Sequence, residues 1–300
     1  MPLSGQNTDT GTPVSVSGYL ALGPDSVPLS GVEIELHRIA PDSAGIADRR
    51  LSDDAGRFRF DIPIETGTDR VEAVYLATAR YEGVLYFGRA LHALNAPIDD
   101  YVILAFGTER VEELPVHARR TVILRTPAGL SVEDAFAVRN DGARTLVAAD
   151  GAEEGWRIRL PKGSGATAEP AGGMARADLE IDGDAIRVVG TVLPGGRTFV
   201  VRYELAGREV MLQNAHALTS QELLLASELS AATVEGLTPA GTATLDDVSY
   251  TRFSSTSPPT VVRVRIVAGS NRNRLYAWLS LAAGLTLSAA AIGAWRRASV

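Results

Sequence analysis

The sequence predicts a mainly β protein, tandem antiparallel β-sandwiches followed by one C-terminal transmembrane α-helix. Three observations carry this. Short segments rich in Val, Ile, Phe and Tyr alternate with polar residues, as in strands with one solvated face. Turn residues punctuate them at roughly 8–12-residue spacing, the signature of sandwiches. Residues 275–295 then form a run without charge or proline.

Taken in order, residues 1–11 are a polar tail expected to be flexible. From residue 14 to about 245 the strand candidates are "VSVSGYLAL", "VEIELHRI", "RFRFDI", "RTVILRT", "DAFAVRN", "WRIRL", "AIRVVGTVL" and "RTFVVRYEL", with "TVVRVRIVAG" beyond them. "GPDS", "DDAG", "RNDG", "IDGD" and "LPGG" supply the turns. Residues 161–175, "PKGSGATAEPAGGMA", read as a long surface loop; no strand–loop–helix context makes them a phosphate cradle. Residues 219–231, "TSQELLLASELSA", fit either reading. Ser and Thr ahead of Glu and a leucine cluster allow a capped helix, whereas the neighbours favour a strand.

In the first part, a strand ending at Gly18 is followed by a "PLSGV" turn from Pro28 to Val32. A strand to Arg38 comes next, then an Asp-x-x-Gly-x-Phe-x-Phe stretch at Asp53, Gly56, Phe58 and Phe60. Gly31 and Gly56 suit turn geometry, Asp53 can close an Asx-turn, and Phe58 and Phe60 point to one face. This pattern resembles the carboxypeptidase regulatory-like domain, a transthyretin-like β-sandwich, over residues 12–88. The resemblance implies a folding or interaction module attached to something else. The catalytic domain of metallocarboxypeptidases is not implied, since none of the four histidines begins a His-x-x-Glu pair. "VEDAFAVRNDGARTLV" and "VLPGGRTFVVRYEL" resemble immunoglobulin-like sandwiches of bacterial envelope proteins, so residues 96–269 are expected to form one large or two stacked sandwiches.

Residues that could carry chemistry are scattered. His37, His92, His117 and His216 have no ligand spacing, and no Gly-x-Ser-x-Gly elbow occurs. Asp99 with Asp100, or Glu180, Asp182 and Asp184 around Gly183, have the residue types for a calcium site without its full loop pattern, and solvated turn acids are the commoner explanation. Trp156, alternating with Ile158 and Leu160, reads as core packing, with a carbohydrate platform as the alternative. No catalytic, metal or cofactor-binding residue is assigned, and no cofactor is expected.

The run 275–295 has 21 residues and spans roughly 30 Å as a helix, the thickness of a bilayer's hydrocarbon core. Tyr276 and Trp278 at one end and Trp295 at the other suit the interface, and Arg296 and Arg297 open a basic tail, 296–300, as Arg272 and Arg274 precede the run. Ser280, Gly284 and Ser288 recur every four residues, and Ala289 with Gly293 make a second small pair. Such spacing lets helices approach closely in lipid. The span carries no His to ligate a haem and no acid or base for ion transport.

Net charge −7 argues against nucleic acid and against an anionic lipid surface as partners. The chain has no cysteine, which excludes disulfides and thiol chemistry. Lys162 is its only lysine, an associational sign of a GC-rich bacterial genome. The expected function is therefore a non-catalytic, single-pass accessory subunit. It would bind and steady an integral membrane complex (respiratory, photosynthetic, secretion or cytochrome-assembly) through the helix and sandwich surfaces. An envelope ligand- or carbohydrate-binding module is the alternative, and an enzyme with a dispersed site ranks behind both. Arginines flank the span on both sides, so the positive-inside rule nearly ties. No basic region or apolar core follows Met1, although "MPLSGQ" resembles the small-residue end of a signal peptide. The sandwiches are expected in the periplasm at the inner membrane, with a cytoplasmic, tail-anchored arrangement as the alternative.

Overall fold

The computed structural model describes residues 13–63, 73–92, 94, 96–151, 156–171, 178–214, 218–229, 231–245 and 247–266. The expected span 275–295 and tail 296–300 lie outside them, and among the described residues no helix is long and apolar enough to cross a membrane. The chain is mainly β, with sandwich-like sheets. Its described residues divide into two compact units, those within 1–108 and 143–145, and those within 109–142 and 146–300.

Unit 1 runs through β1 (Val14–Leu22), β2 (Val27–Pro28), β3 (Glu33–Ile39), β4 (Ala44–Leu51), β5 (Arg57–Ile62), β6 (Val74–Tyr81), β7 (Val84–Phe87), β8 (Leu91–His92) and β9 (Ile98–Ala105). One sheet is β2-β1-β5 with β9 added on β1; the other is β4-β3-β6-β7 with β8 also on β6. In β5 the sequence RFRFDI alternates exposed and buried without exception, so Phe58, Phe60 and Ile62 all face inward. The Phe58 and Phe60 rings stand 5.7 Å apart. Tyr101 of β9 reaches across to the other sheet: its hydroxyl accepts the Ala77 N–H at 3.0 Å and donates to the Arg89 carbonyl at 2.7 Å. Asp53 closes the expected Asx-turn, its carboxylate accepting the N–H groups of Ala55 and Arg57 at 2.9 and 2.7 Å. Gly56 sits at φ +71°, and a Cβ there would lie 2.4 Å from the Leu20 carbonyl oxygen.

Not every neighbour is antiparallel. β9, beyond the expected end of the first domain at residue 88, pairs in parallel with β1. At that contact Gly18 faces Tyr101 so closely that a Cβ would lie 2.0 Å from the Tyr101 carbonyl oxygen. The glycine admits the strand.

β10 (Thr108–Val111) and β13 (Thr145–Ala148) each begin on a residue of unit 1 and continue in unit 2, which holds β11 (Val116–Thr126), β12 (Gly129–Val138), β14 (Arg157–Arg159), β15 (Glu169–Pro170), β16 (Leu179–Asp182) and β17 (Ala185–Val188). Unit 2 continues with β18 (Arg197–Leu205), β19 (Glu209–Gln213), β20 (Ser220–Ala226), β21 (Thr233–Glu235), β22 (Thr238–Leu245), β23 (Val248–Ser255) and β24 (Val261–Arg265). A seven-stranded sheet, β15-β18-β12-β11-β20-β23-β22, shares one apolar core with two three-stranded sheets, β14-β17-β16 and β19-β24-β21; β10 and β13 form a two-stranded ladder.

The ambiguous 219–231 stretch resolves here. It is a strand, β20, followed by a short 3₁₀ turn at Ser227–Leu229. β20 pairs in parallel with β11 and antiparallel with β23, so it lies inside the sheet. Leu223 and Leu225 enter the main core while Leu224 joins Val122 and Tyr250 in a second cluster. A strand buried on both faces reads as a continuous apolar run, which is why alternation failed to reveal it.

The "PKGSGATAEP" segment is irregular, apart from β15, as expected of a loop, but it is tied down. The Asp184 carboxylate accepts the N–H groups of Gly163 and Gly165 at 2.9 and 3.0 Å.

Candidate functional site

The inward faces of β11 and β12 should be apolar, yet Arg119 and Thr121 lie in line with Ile123, and Asp134 lies between Val132 and Phe136. The antiparallel register places Thr121 opposite Asp134 and Arg119 opposite Phe136. Arg119 and Asp134 are therefore diagonal neighbours inside the sandwich, with side chains 1% and 0% exposed.

An isolated buried charge costs several kcal/mol, so these two must be paired and hydrogen-bonded. They are. Arg119 Nε and Nη2 donate to the two Asp134 oxygens at 3.1 and 2.7 Å, a bidentate fork. Thr121 Oγ1 donates to one of those oxygens, and the Tyr203 hydroxyl, from β18, donates to the other at 2.6 Å. Four donors thus occupy the roughly four lone-pair sites of one carboxylate. Arg119 Nη1 continues the chain outward, to the Gln213 carbonyl at 2.8 Å and Asn214 Oδ1 at 3.2 Å. Its guanidinium also lies 4.9 Å from the Phe136 ring centroid.

The electrostatics follow. Burial opposes the Arg119 charge, but Asp134 outweighs it and holds the guanidinium pKa above its ordinary value. Burial first, and the Asp134 charge second, push the Tyr203 hydroxyl well above its ordinary value, so it stays a donor. With its lone pairs filled, Asp134 is held as a structural counter-ion, closed to the roles of general base and metal ligand.

An open cavity of about 230 Å³ meets this network. Leu114, Val116, Phe136 and Leu218 give it an apolar floor, and Arg119, Arg157 and Arg159 line it with Gln213 and Asn214. Among the described residues no carboxylate-bearing one lines it. Arg157 and Arg159 come from β14, and Gln213 ends β19, so the cavity lies between the outer strands of the two three-stranded sheets.

The residues singled out in the sequence fall elsewhere. Tyr276, Trp278, Ser280, Gly284, Ser288, Ala289, Gly293, Trp295, Arg296 and Arg297 lie outside the described residues, as does His216. His37 Nε2 is 3.1 Å from the Thr78 hydroxyl, His92 is exposed on β8, and His117 is half-buried, burial holding its pKa below the ordinary value. Glu180, Asp182 and Asp184 do not converge: they engage Arg187, Arg157 and the Gly163–Gly165 backbone respectively. Asp100 pairs with Arg89 at 2.7 Å. Trp156 is 1% exposed, with Ile158 and Leu160 also buried and its indole N–H donating to the Val111 carbonyl at 3.1 Å, a core residue with no open face for a sugar.

The buried pair was missed in the sequence. Its signal was there: in "SVEDAFAV" Asp134 occupies an inward position between Val132 and Phe136, where alternation calls for an apolar side chain.

No protein-family model matches the chain, and no curated protein matches it. Among solved structures it is similar to (S)-allantoin synthase, at 18% identity and TM-score 0.23, over 33% of this chain and 42% of that one, so it spans under half of that protein. It is also similar to the shaft pilin SpaA from Lactobacillus rhamnosus GG, at 13% identity and TM-score 0.25, over 83% of this chain and 95% of that one. A third likeness is to BcpA, the major pilin subunit of Bacillus cereus, at 10% identity and TM-score 0.22, over 86% of each chain. Superpositions this loose carry no argument about function.

Proposed function

We propose that the chain is a non-catalytic accessory subunit, tethered by residues 275–295, whose β units bind and stabilise a larger membrane protein complex. In this reading the units occupy the periplasmic side of a bacterial inner membrane, and residues 12–88 act as a carboxypeptidase regulatory-like interaction module. The remainder serves as an immunoglobulin-like sandwich. The observation that carries it is the Asp134 site. The carboxylate most deeply placed beside the cavity has both oxygens filled by Arg119, Thr121 and Tyr203, which suits a rigid scaffold and takes this carboxylate out of use as a base.

The test is purification of the full chain in mild detergent followed by mass spectrometry. A reproducible, stoichiometric membrane complex is expected. Elution as a lone monomer or homodimer, in detergents that keep other complexes intact, refutes the reading. A second reading, an envelope ligand-binding module, is favoured by one observation, the arginine-lined cavity. Saturable binding of a small carboxylate to the lone monomer would put it ahead.

A further inference from the structure

The unit 1 sheet β4-β3-β6-β7 has an outer face that is apolar along both margins and charged along its middle. Inward positions of these strands, such as Ile34, Leu36, Ala77 and Tyr86, are buried. Side chains alternate along each strand, so the intervening positions make up the outer face. On β4 they include Ile46 and Leu51, and on β7 Leu85 and Phe87, all exposed. Leu51 is 66% and Phe87 59% exposed, values unusual for side chains of this kind.

Register sets this face in rows. One row reads Arg49, Glu35, Thr78, Phe87, each paired with the next across β4, β3, β6 and β7. In the adjoining row Leu51 pairs with Glu33 and Arg80 with Leu85, and the Ile34–Ala79 pair beside them makes Glu33 and Arg80 neighbours. The charges are answered within the face. Arg49 Nε lies 3.0 Å from Glu35 and 3.9 Å from Glu33, and Arg80 donates to the Gly83 carbonyl at 3.0 Å.

Two properties restrict the occupant. The first is area. Four strands at about 4.8 Å each, and the seven residues of β3 at about 3.3 Å each, give a footprint on the order of 450 Å². Exposed apolar patches on this scale mark interaction sites. Side chains standing from the face bring its accessible area toward the roughly 800 Å² that each partner gives to a stable interface. The second is self-complementarity. A two-fold axis between facing sheets, parallel to the strands and midway between β3 and β6, lays β4 over β7 and β3 over β6. Leu51 then meets the copy's Leu85, Glu33 the copy's Arg80, and Arg49 the ring of the copy's Phe87. Apolar groups meet apolar groups, and acid meets base.

We infer that this face pairs with the same face of a second copy of the chain, forming an isologous dimer through unit 1. The inference goes beyond the accessory-subunit reading and does not rest on it.

The chain has no cysteine, so introduced thiols are unique. Full chains carrying Leu51→Cys and Leu85→Cys, separately tagged and co-expressed in the membrane, are treated with a short bis-methanethiosulfonate reagent. A cross-linked product bearing both tags is expected, because facing sheets lie about 10 Å apart. Phe87→Glu in both chains should lower its yield about thirtyfold or more, as at the centre of an interface, and Arg49→Glu should lower it less. Val27→Glu, at an exposed site in the other sheet of unit 1, should leave it unchanged. The absence of a two-tag product, or a product that neither Phe87→Glu nor Arg49→Glu reduces, overturns the inference. A host complex holding one copy of the chain removes the dimer and leaves the accessory reading standing. A cross-linked pair that purifies without a host does the reverse.

Discussion

Unit 1 fills the space between its sheets with Phe58, Phe60, Tyr75, Tyr86 and Tyr101, and its buried polar side chains among the described residues carry no charge. Tyr101 and Tyr86 turn their hydroxyls to backbone groups, the latter donating to the Phe106 carbonyl at 2.6 Å. Unit 2 instead buries a full ion pair among Phe136, Tyr203 and Val132. Desolvation of two charges costs about what their attraction returns, so stability alone does not explain the pair. Its position does. Arg119 bridges the core to the Gln213 edge and the cavity, so the charge is kept where the fold opens. The contrast teaches that an apolar interior suffices to make a sandwich, and that the buried charge of unit 2 is kept by a network that runs out to a strand end.

That contrast breaks most visibly at Asp134. Asp134→Leu should strand the Arg119 charge and destabilise unit 2 by about 3–5 kcal/mol in denaturant unfolding, whereas Arg119→Met with Asp134→Leu should recover most of the loss. A double variant as damaged as the single one means that packing, rather than the uncompensated charge, set the cost. Tyr101→Phe tests the neutral counterpart in unit 1. Leaving the Ala77 N–H and Arg89 carbonyl unanswered should cost about 1–3 kcal/mol, and a loss as large as at Asp134 would erase the distinction between the units.

Backbone geometry comes next. Gly56→Ala forces a Cβ onto the Leu20 carbonyl at positive φ and should cost about 1–3 kcal/mol, read as a lower midpoint for unit 1. A neutral result would show the turn free to rearrange.

The smallest effect is acid sensitivity. Hydrogen bonds from the Gly163 and Gly165 N–H groups hold the Asp184 carboxyl below its ordinary value, and the Thr108 N–H and hydroxyl do the same for Glu82 in unit 1. Each lowered pKa contributes stability that is complete above the ordinary carboxylate range and disappears as pH falls through the folded value. Asp184→Asn should therefore lower the melting temperature slightly at neutral pH and flatten its decline in acid, with Glu82→Gln doing likewise for unit 1. An unchanged acid limb in either variant removes that carboxylate from the account.

Several features needed only local chemistry. Alternation in "RFRFDI" placed Phe58 and Phe60 inward, and Asp53 with Gly56 marked its turn, because period-2 side-chain direction and turn geometry are properties of a few adjacent residues. Other features lie between residues distant in sequence. Nothing near Ile98–Ala105 announces a parallel partner at β1, since parallel registry leaves no turn to read. The doubly covered β20 could not be told from a helix until β11 and β23 flanked it. The candidate site is the extreme case. Asp134 was legible as a charge out of pattern. That it belongs to Arg119, Thr121 and Tyr203, and that Gln213 carries the network to a cavity, depends on separations of up to 94 residues. Local sequence therefore marked strands with clear alternation, such as β1, β3, β5 and β18, and their turns, while it passed over β4, β6, β9 and β23 and left β20 undecided. Tertiary structure alone decided which charges are buried and what they face, because burial and pairing are set by strand order and sheet packing.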